Sequence, residues 1–183
     1  MPDEREGALK EFIEATEQTL HEAQAPVGFD EAMLRQPLSV LGPRDPIVVD
    51  PASSILSAIT LMRESRIGCV LVARGGKLEG IFTERDVLVQ VAGQSLDVAD
   101  TPVLRVMTAN PEYLRPTDSI AYALNAMSLG GYRHVPLVDE ARAPVGVVSV
   151  RDVIHYLVRL FHKSVMNLPT LPRQNYARER EGA

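Results

Sequence analysis

Apolar residues along this chain follow a changing spacing that predicts alternating strands and helices. A β-branched run at 47–49 predicts a strand, and the apolar residues of 55–62 recur at every third or fourth position, as in a helix. Two apolar runs, 69–73 and 78–82, are typical of strands joined by a hairpin, because a glycine pair separates them. A second helix is expected at 83–91. These elements form one unit of strand, helix, strand, strand and helix.

The same order of elements returns about 65 residues later. Strands are expected at 112–114, 135–138 and 145–148, and helices at 119–129 and from Ser149 onward. A repeat of this length indicates a duplicated supersecondary unit. We therefore expect an α/β (α+β) fold in which two pseudo-symmetric β-α-β-β-α repeats pack together, preceded by an amphipathic helix.

The segments outside the two repeats are too short to form domains of their own. Residues 1–36 contain an acidic amphipathic helix, predicted from the helical spacing of its apolar residues, and a proline-rich linker with a short helix at 30–35. Residues 37–97 form the first repeat and residues 98–161 the second. Residues 162–183 form a charged tail after the last helix.

Composition narrows the possible classes of function. The net charge of −5 argues against phosphate-driven binding to nucleic acid. No apolar run reaches the roughly 18 residues of a membrane span. The acidic N-terminus is not that of a secretory signal, so we expect a cytoplasmic protein. Cys69 is the only cysteine, which excludes an intrachain disulfide and favours a buried thiol.

The second helix of each unit begins with a repeated motif, Gly80–Asp86 in the first unit and Gly146–Asp152 in the second. In both copies a hydroxyl residue ends a strand and an aspartate follows three positions later. One interpretation is a capping box, in which the hydroxyl and the carboxylate bond the free amides of the helix start. The other is a ligand site, since a helix start can hold a phosphate and a carboxylate can accept two ribose hydroxyls. The two interpretations are compatible.

The two in-register copies of this motif, with the strand entry Arg133–Asp139 and the lead-in Val106–Thr108, resemble a tandem pair of cystathionine-β-synthase (CBS) domains, or Bateman module. The resemblance covers about residues 37–160. It implies a non-catalytic regulatory module that binds adenosine-containing ligands in two clefts between the repeats. AMP, ADP or ATP is the expected ligand, and S-adenosylmethionine or NADH is an alternative. Occupancy would change the conformation or the binding of an unknown effector protein.

The resemblance also implies roles for residues of this sequence. The ribose is expected on the motif hydroxyls and carboxylates, which are Thr83, Asp86, Ser149 and Asp152. Basic residues near them are expected to bind phosphate, namely Arg85, Arg133, His134 and Arg151. Apolar neighbours are expected to form the base pocket, and these are Val49, Ile67, Ile81, Val135, Pro136 and Val147.

A homodimer is implied as well, because in this family the second helices of each repeat commonly pair two modules. Its expected contacts are the apolar residues of those helices, Val87, Leu88, Val91, Val153, Ile154 and Leu157. The apolar face of the last helix could equally be the core of a two-layer fold.

The two clefts are not expected to be equal. The first unit has Ile67-Gly68 where the second has Arg133-His134, and Arg66 is its nearest basic residue. The cleft formed by Arg133-His134 and Asp152 therefore has more positive charge with which to hold a phosphate. We expect the clefts to differ in affinity, or only one to bind.

No enzyme is predicted, because the 36 residues before the repeats and the 22 after them are too few for a catalytic domain. No metal site is predicted either, since His134 has no histidine or cysteine at ligand spacing. The main alternative is a ligand-independent dimerisation or interaction scaffold, in which the repeated hydroxyl and aspartate only cap helices. A ligand-dependent gain in thermal stability would distinguish these two functions.

Overall fold

The computed structural model describes residues 31–161, and backbone contacts divide the chain between Gln36 and Pro37. The amphipathic helix predicted near the N-terminus and the charged tail lie outside the described residues. In the first of the two units one helical turn, α1 (Glu31–Leu34), lies within the short helix predicted from the sequence. All the strands of residues 31–161 lie in the second unit.

Four strands form one sheet in the order β1-β2-β3-β4. β1 (Val48–Val49) pairs in parallel with β2 (Cys69–Arg74), and β2 forms an antiparallel hairpin with β3 (Lys77–Thr83). The predicted glycine pair makes this turn with positive φ angles, which favour glycine. β4 (Thr108–Ala109) pairs antiparallel with β3. Because β4 lies in the lead-in to the second repeat, this sheet joins the two repeats.

A second sheet and four further helices complete the order of elements. β5 (His134–Val138) and β6 (Pro144–Ser149) form an antiparallel pair. The helices are α2 (Ile55–Ser65), α3 (Glu84–Asp86), α4 (Ile120–Gly130) and α5 (Val150–Leu160). α3 continues as a π-helical turn at Val87–Val91, and 3-10 turns lie at Leu38–Leu41 and Val103–Arg105.

The strand predicted at 112–114 is wrong. Leu114 makes only an isolated parallel bridge to Leu137, where the first repeat has the strand β1. In the first repeat the N–H of Leu71 extends the ladder by donating to the Ile47 carbonyl. The corresponding residue of β5 is Pro136, which has no N–H, so the ladder stops after one residue.

The strand registers show how the two repeats align. Cys69 pairs with Thr83 and His134 pairs with Ser149, so Cys69 and His134 are structural equivalents. The expected match of Gly68 to His134 is therefore one residue out. The offset between the repeats is 65 from Cys69 to His134 and 66 from Thr83 to Ser149, so the second repeat has one additional residue, which lies in its β-hairpin.

The two repeats share part of their hydrophobic core. Val138 of β5 packs in one buried cluster with four residues of the first sheet, which are Cys69, Leu71, Leu78 and Ile81. The N–H of Leu78 also donates to the carbonyl of Arg142, at 3.0 Å. A larger cluster around the fully buried Phe82 fills the space between the first sheet and α2. Apolar packing therefore holds the repeats together in addition to β4.

Two of the six residues expected at a dimer contact are wrong for that role, because they are buried inside the fold. Val91 is 9% exposed and packs in the cluster around Phe82, and Val153 is 3% exposed. Leu88 and Ile154 are 72% and 52% exposed. The remaining two, which are half-buried, are Val87 and Leu157.

The contrast between Phe82 and Leu88 predicts how stability depends on this core. Phe82→Ala removes a fully buried ring and should lower the free energy of unfolding by about 3–5 kcal/mol. Leu88→Ala removes an exposed side chain and should change it by less than about 0.5 kcal/mol. Urea denaturation measures both values. A loss at Leu88 as large as that at Phe82 would contradict the assignment of the core.

Candidate functional site

Both copies of the repeated motif form a capping box, as the first interpretation predicts. In the second copy the N–H and the hydroxyl of Ser149 donate to Oδ2 of Asp152, at 2.7 and 2.6 Å. The N–H of Asp152 donates back to the Ser149 hydroxyl oxygen at 3.3 Å. Thr83 and Asp86 make the same three hydrogen bonds in the first copy, at 2.8, 2.7 and 3.3 Å. These hydrogen bonds form because Thr83 and Ser149 have extended backbone angles and the helix begins at the next residue, as at an N-cap.

The second carboxylate oxygen distinguishes the two copies. Oδ1 of Asp86 accepts a hydrogen bond from the Thr108 hydroxyl at 3.3 Å. Within residues 31–161 no donor reaches Oδ1 of Asp152. The carboxylate of the second copy therefore retains an acceptor for a ligand, whereas that of the first copy already has an internal partner.

A cavity of about 530 Å³ lies beside the second copy of the motif, between the two repeats. Its wall includes seven of the residues that the sequence assigned to a site. Those with polar side chains are Arg133, His134, Ser149, Arg151 and Asp152, and the apolar ones are Ile67 and Val147. Thr83, Arg85 and Asp86 do not line this cavity. The structure therefore gathers the hydroxyl, arginine and aspartate of the second motif and leaves those of the first outside.

Four of the six apolar residues expected in a base pocket do not line this cavity. Val49, Ile81 and Val135 are at most 6% exposed and belong to the core, and Pro136 is buried in the middle of β5. Val49 packs in the cluster around Phe82, and Ile81 packs in the cluster that contains Val138. Ile67 and Val147 supply apolar surface at the cavity wall.

Several residues of the cavity wall were not assigned a role from the sequence. The segment 44–47 lines the cavity because Arg44 bridges to Val147 of β6. Ser65, Arg66, Gly68, Cys69 and Glu84 complete the wall. The lead-in Val106–Thr108 gave a signal for the first group, because its counterpart before the first repeat, 41–43, directly precedes Arg44.

The cavity wall carries arginine side chains that form no salt bridge with any described residue. Its four arginines, Arg44, Arg66, Arg133 and Arg151, make no ion pair with any residue of 31–161. Three carboxylates, Asp45, Glu84 and Asp152, also lie on this wall. Unpaired guanidinium groups around a carboxylate with a free oxygen suit a ligand that has both an anionic group and hydroxyl donors.

Two titratable groups are perturbed at the floor of the cavity. Burial lowers the pKa of His134, and Arg133 and Arg151 lower it further, while Glu84 and Asp152 oppose this shift. Burial raises the pKa of the Cys69 thiol to about 12, and Glu84 adds to that increase. The thiol is therefore protonated and unreactive, and burial favours the neutral form of His134.

Gly68 makes room for the His134 ring. A Cβ atom at position 68 would lie 2.9 Å from Cε1 and 3.0 Å from Nε2 of the imidazole. Such a distance is shorter than real contacts, so any side chain at position 68 would displace the ring. The first repeat thus has a glycine where the second has Arg133, and this difference contributes to the unequal charge of the repeats.

Among residues 31–161, no three histidine, cysteine, aspartate or glutamate side chains are grouped as metal ligands would be. No helix in that range is long and apolar enough to cross a membrane. The fold and the site together define a duplicated α+β module with a charged cavity between its two repeats.

Comparison with known proteins identifies the family. The CBS domain model matches residues 42–93 and 100–159, so the chain belongs to the CBS-domain family and carries two tandem copies of the domain. Its sequence is 36% identical over 130 residues to the CBS domain-containing protein CBSCBSPB1 of Arabidopsis thaliana, covering 70% of this chain. The chain spans 24% of the length of that relative and 21% of the related CBSCBSPB3.

Solved structures agree with this assignment. The CBS-domain containing protein ATU1752 from Agrobacterium tumefaciens is 32% identical with a TM-score of 0.59, covering 66% of this chain and 95% of the other. The CBS domain protein PAE2072 from Pyrobaculum aerophilum, solved in complex with AMP, is 26% identical with a TM-score of 0.62. That match covers 70% of this chain and 98% of the other. The predicted tandem CBS fold is confirmed.

The lowered pKa of His134 predicts how stability depends on pH. The unfolded chain protonates at this residue at a higher pH than the folded chain, so stability is lost as the pH falls through these pKa values. Between about pH 7 and pH 5 the free energy of unfolding should fall less steeply in His134→Gln than in the original protein. Urea denaturation at each pH measures the slopes, with His155→Gln, at an exposed position, as the control. Equal slopes for His134→Gln and the original protein would contradict the neutral state of His134.

Proposed function

We propose that this protein is a non-catalytic regulatory module that binds an adenine nucleotide in the cavity beside Asp152. The cavity beside the second motif is the principal site, and the first motif serves mainly as a helix cap. Binding changes the relative arrangement of the two repeats, or their affinity for another protein. AMP, ADP and ATP are the first candidates, and S-adenosylmethionine and NADH are the next.

The free oxygen of Asp152 is the observation that carries this proposal. Oδ2 is engaged by Ser149, while Oδ1 faces no donor within residues 31–161 and belongs to a residue of the cavity wall. A ribose offers two adjacent hydroxyl donors, which suit a carboxylate oxygen with two lone pairs. Ser149 stays in place as the helix cap, so the helix start is already ordered before the ligand arrives.

The phosphate and the base have complementary surfaces in the same cavity. Arg133 and Arg151 have no ion-pair partner in the described part of the chain and can hold a phosphate. Ile67 and Val147 offer apolar surface to the flat base. The AMP complex of the similar protein PAE2072 supports a ligand of this class.

The proposed mechanism is linkage between binding and conformation. The cavity wall combines residues of the first repeat, such as Ile67 and Glu84, with residues of the second, such as His134 and Asp152. A ligand that contacts both repeats favours the arrangement in which both sets of contacts are made. Any partner that prefers this arrangement then binds more tightly in the presence of the ligand.

Paired substitutions at the two motif aspartates test the site. Asp152→Asn removes the charge of the free oxygen and should weaken AMP binding at least tenfold, because a hydrogen bond to a charged acceptor is worth about 1.5–3 kcal/mol. Asp86→Asn alters the equivalent residue of the other capping box and should leave the affinity within about twofold. Isothermal titration calorimetry measures both affinities, and thermal unfolding without ligand shows whether the two caps are equally weakened.

Two outcomes would contradict the proposal. If Asp86→Asn weakens binding more than Asp152→Asn, the ligand occupies the other motif. If the folded protein binds none of the five candidate ligands and shows no thermal shift, both motifs are helix caps alone. The interaction scaffold would then be the better account, since both capping boxes are complete without a ligand.

We also propose that the module forms a homodimer through the exposed apolar residues of α5 and of the π-helical turn. Leu88 and Ile154 support this contact, because each lies two residues after its motif aspartate and is more than half exposed. The double variant Leu88→Asp/Ile154→Asp should be monomeric in sedimentation velocity at concentrations where the original protein is dimeric. The control Leu129→Asp changes an 80% exposed leucine on α4 and should leave the dimer intact. A monomeric original protein, or a dimer that survives the double substitution, would contradict this contact.

A further inference from the structure

Glu84 is the acidic residue that distinguishes the two copies of the motif. The first copy reads Thr83-Glu84-Arg85-Asp86 and the second Ser149-Val150-Arg151-Asp152. The motifs differ in charge only at this position, where a carboxylate in one repeat corresponds to a valine in the other. Glu84 lines the cavity beside Asp152, although it belongs to the first repeat and its neighbours Thr83, Arg85 and Asp86 do not line that cavity. A negative charge on the wall of a proposed nucleotide site needs an explanation.

The carboxylate of Glu84 lies close to His134. Its Oε2 is 3.5 Å from the place that a Cβ atom on Gly68 would take, and Nε2 of His134 is 3.0 Å from the same place. The backbone N–H of Glu84 donates to the Gly68 carbonyl at 3.1 Å, which fixes the start of α3 beside this glycine. The charge of Glu84 also opposes the lowering of the His134 pKa by burial and adds to the increase of the Cys69 pKa. Glu84 therefore acts electrostatically on the floor of the cavity.

No basic residue in the described part of the chain forms a salt bridge with the Glu84 carboxylate. Within residues 31–161 the Glu84 carboxylate makes no ion pair and no hydrogen bond, although four arginines share the cavity wall with it. His134 pairs with Ser149 across β5 and β6, so the imidazole lies on the strand next to the proposed ribose site. A phosphate that extends from the ribose toward His134 therefore comes nearer to the Glu84 carboxylate.

We propose that Glu84 sets the number of phosphate groups that the cleft accepts, so that the cleft prefers a nucleoside monophosphate to a triphosphate. This inference rests on the proposed function. The first phosphate can be held by the arginines of the cavity wall, which make no ion pair within residues 31–161. Further phosphates extend the chain past the imidazole and bring additional negative charge toward Glu84. The penalty grows with the number of phosphates, whereas the contacts to the ribose and the base stay the same.

Substitution of Glu84 tests this selectivity directly. Isothermal titration calorimetry with AMP, ADP and ATP, in buffer without divalent cations, gives the ratio of the dissociation constants for ATP and AMP. In the original protein AMP should bind more tightly than ATP. Glu84→Gln removes the charge at nearly constant shape and should lower the ratio about fivefold, mostly by tightening ATP. Glu84→Val should lower the ratio as well. Valine is compatible with this position, because Val150 occupies the equivalent first residue of α5.

The control is Glu79→Gln, which removes a carboxylate that pairs with Arg74 and does not line the cavity. It should leave the ratio unchanged. An equal ratio in the original protein and both Glu84 variants would overturn the inference while leaving the proposed function intact. Loss of AMP binding in a folded Glu84→Gln protein would overturn it too, because the carboxylate would then be a ligand contact. If the original protein binds no nucleotide, the proposed function fails first and this inference fails with it.

Discussion

The arrangement of the cavity depends on one set of hydrogen bonds at the start of α5. The hydroxyl and the N–H of Ser149 converge on the same oxygen of Asp152, which anchors the carboxylate to the first turn of the helix. The other oxygen is left without a donor within residues 31–161. A helix cap and a ligand contact can use the same residue because a carboxylate has two oxygens with separate lone pairs. The helix cap therefore holds in place the Asp152 carboxylate that the proposed function uses.

Small differences make the two copies of this arrangement unequal. Thr108 occupies the second oxygen of Asp86, so the first copy is satisfied within the chain. Arg133 in the second repeat stands where the first has Gly68, and the glycine in turn leaves space for His134. As a result, arginine side chains that form no salt bridge within residues 31–161 line the same cavity as Asp152. The expectation of unequal clefts thus agrees with the geometry, although it was based on an alignment that is one residue out.

The sequence predicts the order of elements well, because apolar spacing and glycine turns encode it locally. It fails where a long-range pairing decides the outcome. The absent strand at 112–114 depends on a missing N–H in Pro136, which lies on another strand. The segment 44–47 belongs to no sequence motif, and its bridge to Val147 places it at the cavity. The base pocket stays a prediction, since a pattern that marks Val135 as buried does not say whether it faces a cavity or the core.

A crystal structure of the protein grown with AMP would test the central claim most directly. Our account predicts one nucleotide per chain, with a ribose hydroxyl within hydrogen-bonding distance of Oδ1 of Asp152 and the phosphate on Arg133 or Arg151. It also predicts that the hydrogen bond from Thr108 to Asp86 is retained. A nucleotide bound at Asp86, with Thr108 displaced and the cavity beside Asp152 empty, would contradict the account.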